Sequence, residues 1–143
     1  MIKFICSSGN KAKGHCKTTI QDDYGRQYTG HAWLANGDTW SEIFGCRIAE
    51  LRATIQAINY KIYRKKADYK TIENFVKAVG GYKNFDKESP SAKCMYRQLN
   101  RRKVEIKRLE QERESIKKFI KDSIAMRDKI TNRINKKNTG KES

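Results

Sequence analysis

Apolar and polar residues alternate with a period of two as far as about Phe44, in four runs at residues 2–6, 15–21, 26–34 and 39–44. Ser7-Ser8-Gly9-Asn10, Asp22-Asp23-Tyr24-Gly25 and Asn36-Gly37-Asp38 divide them with residue types that favour turns. Asn36-Gly37 is the best hairpin signal, because a type I′ turn needs positive φ at both central positions. An antiparallel meander is predicted. From Cys46 the period lengthens to about 3.5, with Ile48, Leu51, Ile55, Ile58 and Ile62 on one face, which predicts an amphipathic helix closed by Arg64-Lys65-Lys66. A shorter helix over residues 68–79 carries Ile72, Phe75, Val76 and Val79 and stops at Gly80-Gly81. Ser89-Pro90 reads as an N-cap followed by a first helical residue, and no glycine or proline then interrupts the chain to about Asn135. Met95, Leu99, Ile106, Leu109, Ile116, Ile120, Ile130 and Ile134 continue the alternation of three and four along this stretch, with Arg102, Arg113 and Arg127 set into the stripe.

The pattern therefore predicts an α+β protein, an N-terminal antiparallel β-meander packed by an α-helix, then a short helix and a long C-terminal coiled-coil-like helix. Residues 1–88 are expected as the head domain, 89–135 as a long basic helix and 136–143 as a disordered tail. A helix of that length exceeds what one small domain covers, so a homo-oligomer joined through it is expected. An arginine in a dry seam is costly, so the three stripe arginines select register, meet acids of a neighbour, or face an anion.

Charge changes this picture most. The 143 residues carry 32 Lys plus Arg against 16 Asp plus Glu, a net +16, and residues 93–143 hold +10 of it. With a mean hydropathy of −0.89, that imbalance points to a polyanionic partner, nucleic acid or nucleotide. No stretch approaches the roughly 20 apolar residues of a membrane helix, and the apolar start is shorter than a secretory core of about 7 residues. No membrane partner and a cytoplasmic location are expected. Cys6, Cys16, Cys46 and Cys94 form no C-x-x-C pair, and His15, Cys16, Cys6 and Cys46, with His31 to complete a set, lack the tight ligand spacing of zinc sites, so reduced thiols and no cofactor are expected.

Residues 47–58, Arg-Ile-Ala-Glu-Leu-Arg-Ala-Thr-Ile-Gln-Ala-Ile, resemble the first-helix segment of the ribonuclease H family, where a strand meander also precedes this helix. The resemblance implies a magnesium-binding glutamate at Glu50, and it continues loosely into Asp68-Tyr69, which implies a second carboxylate ligand at Asp68. Cys6 stands where the family's first-strand aspartate is expected, and a thiol is a poor ligand for a hard magnesium ion. Ala49, Ala53 and Ala57 also read simply as small residues that let a helix approach a sheet.

The leading expectation is non-catalytic binding of nucleic acid or another phosphate-rich ligand. Its candidate contacts are Lys11, Lys13 and Lys17 near the first turn, Arg26 and Tyr28 near the second, Arg64, Lys65 and Lys66 in the first helix, and Arg101, Arg102, Lys103, Lys107 and Arg108 in the long one. Gly9-Asn10-Lys11-Ala12-Lys13-Gly14 lacks the order of a phosphate loop and reads as a basic hairpin loop. Tyr24, Tyr28, Trp33 and Trp40 lie beside Lys17, Arg26 and His31 on the predicted sheet, where such neighbours can stack bases. Core packing accounts for Trp33 and Trp40 equally well. Two alternatives stand beside this reading: a small inhibitory or sequestering protein, of a viral kind, that binds a signalling nucleotide or a host or defence enzyme, and a divergent ribonuclease H-like nuclease using Glu50 and Asp68.

Overall fold

A computed structural model describes residues 2–34, 41–80 and 86–141, with the side chains of residues 131, 135 and 138–141 excepted. The fold is α+β. Strands β1 (Lys3–Asn10), β2 (His15–Gln21) and β3 (Gln27–Trp33) form an antiparallel sheet in the order β1-β2-β3, followed by helices α1 (Glu42–Gly80) and α2 (Pro90–Lys141). No described helix is long and apolar enough to cross a membrane.

The first strand runs four residues further than its alternation suggested, because Ser7-Ser8-Gly9-Asn10 pairs with β2. The turn is made instead by residues 11–14, where Gly14 takes φ +63° and its N–H donates to the Lys11 carbonyl at 3.2 Å. A bulge between Phe4 and Cys6 shifts the β1 register. The fourth predicted strand is not formed as such: residues 42–44 are the first turn of α1, while Asn36-Gly37 and Trp40 lie outside the described residues. Ser41 explains the early helix start. Its Oγ accepts the Phe44 N–H at 3.2 Å and its carbonyl accepts the Gly45 N–H at 3.0 Å, as an N-cap does.

The two helices predicted over residues 46–79 are one. No glycine or proline lies between Cys46 and Val79, so nothing releases the backbone from its helical hydrogen bonds at the basic run. Ser89 caps α2 as expected, accepting the Ala92 N–H on its Oγ at 3.2 Å, and the helix passes Asn135 to reach Lys141. The chain divides into two compact units, residues 1–57 with 114–143 and residues 58–113, so the division falls within both helices rather than at residue 88.

In the first unit, Cys16, Thr18 and Ile20 of β2 and Tyr28 and Ala32 of β3 are buried on the sheet face that meets α1. A Cβ on Gly30 would collide with the Ala49 carbonyl oxygen and stand 2.7 Å from the Ala53 nitrogen, so helix and strand backbones touch there. The small-residue stripe does what its size permits. Thr18 Oγ1 donates to the Cys46 carbonyl at 3.0 Å. Arg52 and Gln56 donate to the carbonyls of His31 and Thr29 at 2.8 and 3.0 Å, which covers acceptors on the outer edge of β3. Strand β1, at the other edge, is exposed along its whole length. From α2, Ile120 joins the core of Cys16, Ala32, Ile48, Ala49 and Leu51, with Ile116 and Ile124 packed against it, and Arg127 lies 4.6 Å over the Phe44 ring.

In the second unit the two helices run antiparallel, with Arg113 donating to Asn59 Oδ1 at 3.0 Å and Lys65 bound to Glu105 at 2.8 Å. Ile58, Ile62 and Leu109 are buried there. Thus Leu109 and Ile120, placed by the sequence on a seam between subunits, are covered by their own chain. Ile130 and Ile134 of the same stripe stay exposed. Within the chain Arg113 meets the Asn59 amide and Arg127 the Phe44 ring.

Candidate nucleic-acid interface

The parity of β2 and β3 decides which side chains are available to a ligand. Because Cys16, Thr18, Ile20, Tyr28, Gly30 and Ala32 face α1, their neighbours must face away from it. Cross-strand register then sets that open face in rows: Asn10, His15 and Trp33; Ser8, Lys17 and His31; Cys6, Thr19 and Thr29; Lys3, Gln21 and Gln27. One end of the face is aromatic and basic.

There His15 Nε2 and His31 Nδ1 share a hydrogen bond of 2.8 Å. The ring planes differ by 19° with centroids 5.1 Å apart, a separation mostly spanned by that bond, so the imidazoles lie edge to edge as one plate. The Trp33 indole lies over the His15 end of the plate, centroids 4.1 Å apart, and keeps 67% of its surface exposed. Lys17 is the cross-strand partner of His31, and Lys13 sits in the adjoining turn, its N–H bound to Asn10 Oδ1 at 3.2 Å. Desolvation in the stack, then the charges of His31, Lys17 and Lys13, hold the His15 pKa below the ordinary histidine value. Lower on the face Thr19 and Thr29 join hydroxyls at 2.9 Å. The result is an exposed aromatic cluster, the indole tilted 32° over the His15 ring, beside the lysines Lys13 and Lys17.

The remaining expected contacts divide between the units. Lys11 is exposed in the first turn, and Arg26 is exposed at the opposite end of the sheet. Tyr28 is not a ligand contact: it is buried and its hydroxyl donates to Asp22 Oδ2 at 2.7 Å. Burial and that bond push the phenol pKa up to about 12. In the second unit Lys65 and Arg101 both reach Glu105, at 2.8 and 3.5 Å, and Lys66 reaches Glu110 at 3.2 Å, so these cations serve the helix pair. Arg64 lies 5.9 Å from the Tyr60 ring, and Lys103, Lys107 and Arg108 are exposed on α2. Lys65, Asp68, Gln98, Arg101, Arg102 and Glu105 line a polar groove of about 290 Å³.

The carboxylates implied by the family resemblance are not assembled. Glu50, in the first unit, pairs with Arg47 at 3.2 Å, whereas Asp68 stands on α1 in the second unit and not on a strand. Cys6 shares its row with Thr19 on the face turned away from α1 and Glu50. Among the described residues no three His, Cys, Asp or Glu side chains gather as a metal-binding group. Cys16 is buried in the core, and burial together with Cys46 raises its thiol pKa to about 11, which disfavours the thiolate.

Sequence reasoning missed the histidine plate because its two members lie 16 residues apart, and only the β2–β3 register joins them. No protein-family model, curated protein or solved structure matches this chain.

Proposed function

We propose that this chain binds single-stranded nucleic acid without cleaving it, using the open face of its sheet as the base platform. The observation that carries the reading is the exposed Trp33 indole, tilted over the His15 end of the His15–His31 plate, beside Lys13 and Lys17. A core would have covered the indole. An exposed ring offers a π-face to any base, and stacking of this kind contributes about 1–3 kcal/mol per base. The net charge of +16 supplies the sequence-independent phosphate attraction that such a platform needs. A duplex keeps its base faces stacked internally, so the platform favours unpaired strands.

Fluorescence anisotropy with an end-labelled single-stranded oligonucleotide, and with the same sequence as a duplex, tests the reading. Single strand should bind tighter, and Trp33→Ala should weaken it by roughly 5- to 150-fold, the equivalent of about 1–3 kcal/mol. Unchanged affinity in Trp33→Ala, or preference for duplex, would remove the sheet face from the interface.

A further inference from the structure

We infer that His15 and His31 together form a binding site for a divalent transition-metal ion of the nickel and copper type. They are the only two histidines in the chain. Strand pairing places them on one open face with ring nitrogens 2.8 Å apart, although 16 residues separate them in sequence. Two imidazole nitrogens at about 2.0–2.1 Å from one ion stand about 2.9 Å apart at a right angle and about 3.3 Å apart in a tetrahedron. The observed 2.8 Å is the length of the hydrogen bond, and it brings the two nitrogens within the span that one ion bridges; imidazole donors, with the rise in affinity along the divalent series to copper, favour nickel and copper. The nitrogens now face each other across a hydrogen, so the ring that carries it takes its other tautomer, with the N–H on the far nitrogen, and the rings turn until their lone pairs converge on the ion. His31 is exposed and His15 half-buried, and neither ring is enclosed by a core.

Two forces oppose each other here. Imidazole is a preferred donor for these ions, and two donors on neighbouring strands bind as a chelate. Lys17, the cross-strand partner of His31, places a like charge beside the ion, as does Lys13 in the adjoining turn. From α1, Arg52 contacts this pair through the His31 carbonyl. The facing β1 residues, Ser8 and Asn10, are uncharged. The remaining coordination positions point outward to water or to an oxygen or nitrogen of a bound ligand. The inference does not depend on nucleic-acid binding.

Nickel titrated into the full chain at neutral pH, followed by proton NMR of the two imidazoles, tests it. The change should saturate at one ion per chain, and His15→Gln and His31→Gln should each weaken binding by at least the roughly 10–100-fold that loss of a mere outer-shell partner costs. Lys17→Gln should tighten nickel binding while weakening oligonucleotide binding, so the two assignments fail separately. Nickel affinity unchanged in either histidine variant would overturn the site.

Discussion

The Asp22 carboxylate closes the β2–β3 turn by accepting three hydrogen bonds, from the Tyr24 and Arg26 amides at 2.9 Å each and from the Tyr28 hydroxyl at 2.7 Å. Desolvation pushes its pKa up, but these donors and the Arg26 charge outweigh it, and the net shift is downward. A carboxylate whose folded pKa is depressed stabilises fully above its unfolded value near pH 4, and that contribution is lost as pH falls through the folded value. Asp22→Asn should therefore flatten the decline of stability below about pH 4 in urea titrations. Asp22→Ala should cost about 1–3 kcal/mol at neutral pH, since it removes the acceptor of the Tyr28 hydroxyl and of two turn amides. An unchanged acid limb in Asp22→Asn would show that another carboxylate governs it. Gly30 is the second residue on which the fold turns. A methyl there meets the α1 backbone, which cannot swing aside as a side chain can, so Gly30→Ala should destabilise by about 3 kcal/mol or more. Gly80→Ala is the matched control, because nothing lies within 4 Å of its new Cβ and a helical alanine gains up to about 1 kcal/mol. Equal thermal midpoints for the two variants would contradict the close approach of α1 to β3.

Among the elements, β2 was legible to its ends because period-two alternation coincides there with a buried face, Cys16, Thr18 and Ile20, and turn residues flank it. The β1–β2 turn was not, since Ser7-Ser8-Gly9-Asn10 has turn composition, while the positive-φ requirement falls on Gly14. Helix α1 was read as two because Arg64-Lys65-Lys66 resembles a helix terminus. Lys65 and Lys66 instead find carboxylates, Glu105 and Glu110, on the adjacent helix, a tertiary pairing that local pattern does not display. Ser41 did carry a legible signal, an N-cap residue five positions before the helical period begins at Cys46. The platform was half-legible. Trp33 fits core or surface by composition, and the deciding clue is that Gly30 and Ala32, one parity over, are the small residues a packed helix requires.

For the whole molecule, the net charge of +16 does not fall on one uniform surface. In the second unit part of it is spent on Glu105 and Glu110 within the helix pair. In the first unit Lys13 and Lys17 stand beside an exposed aromatic plate. On the proposed function the sheet face would contact bases, and the exposed Lys103, Lys107 and Arg108 of α2 would add sequence-independent phosphate attraction. The most direct measurement is a chemical-shift map of the isotope-labelled full chain on addition of an unlabelled single-stranded oligonucleotide. The account predicts the largest changes at the Trp33 indole N–H, the His15 and His31 rings and the amides around Lys13 and Lys17. Changes confined to residues 101–108, with the Trp33 indole unmoved, would contradict it.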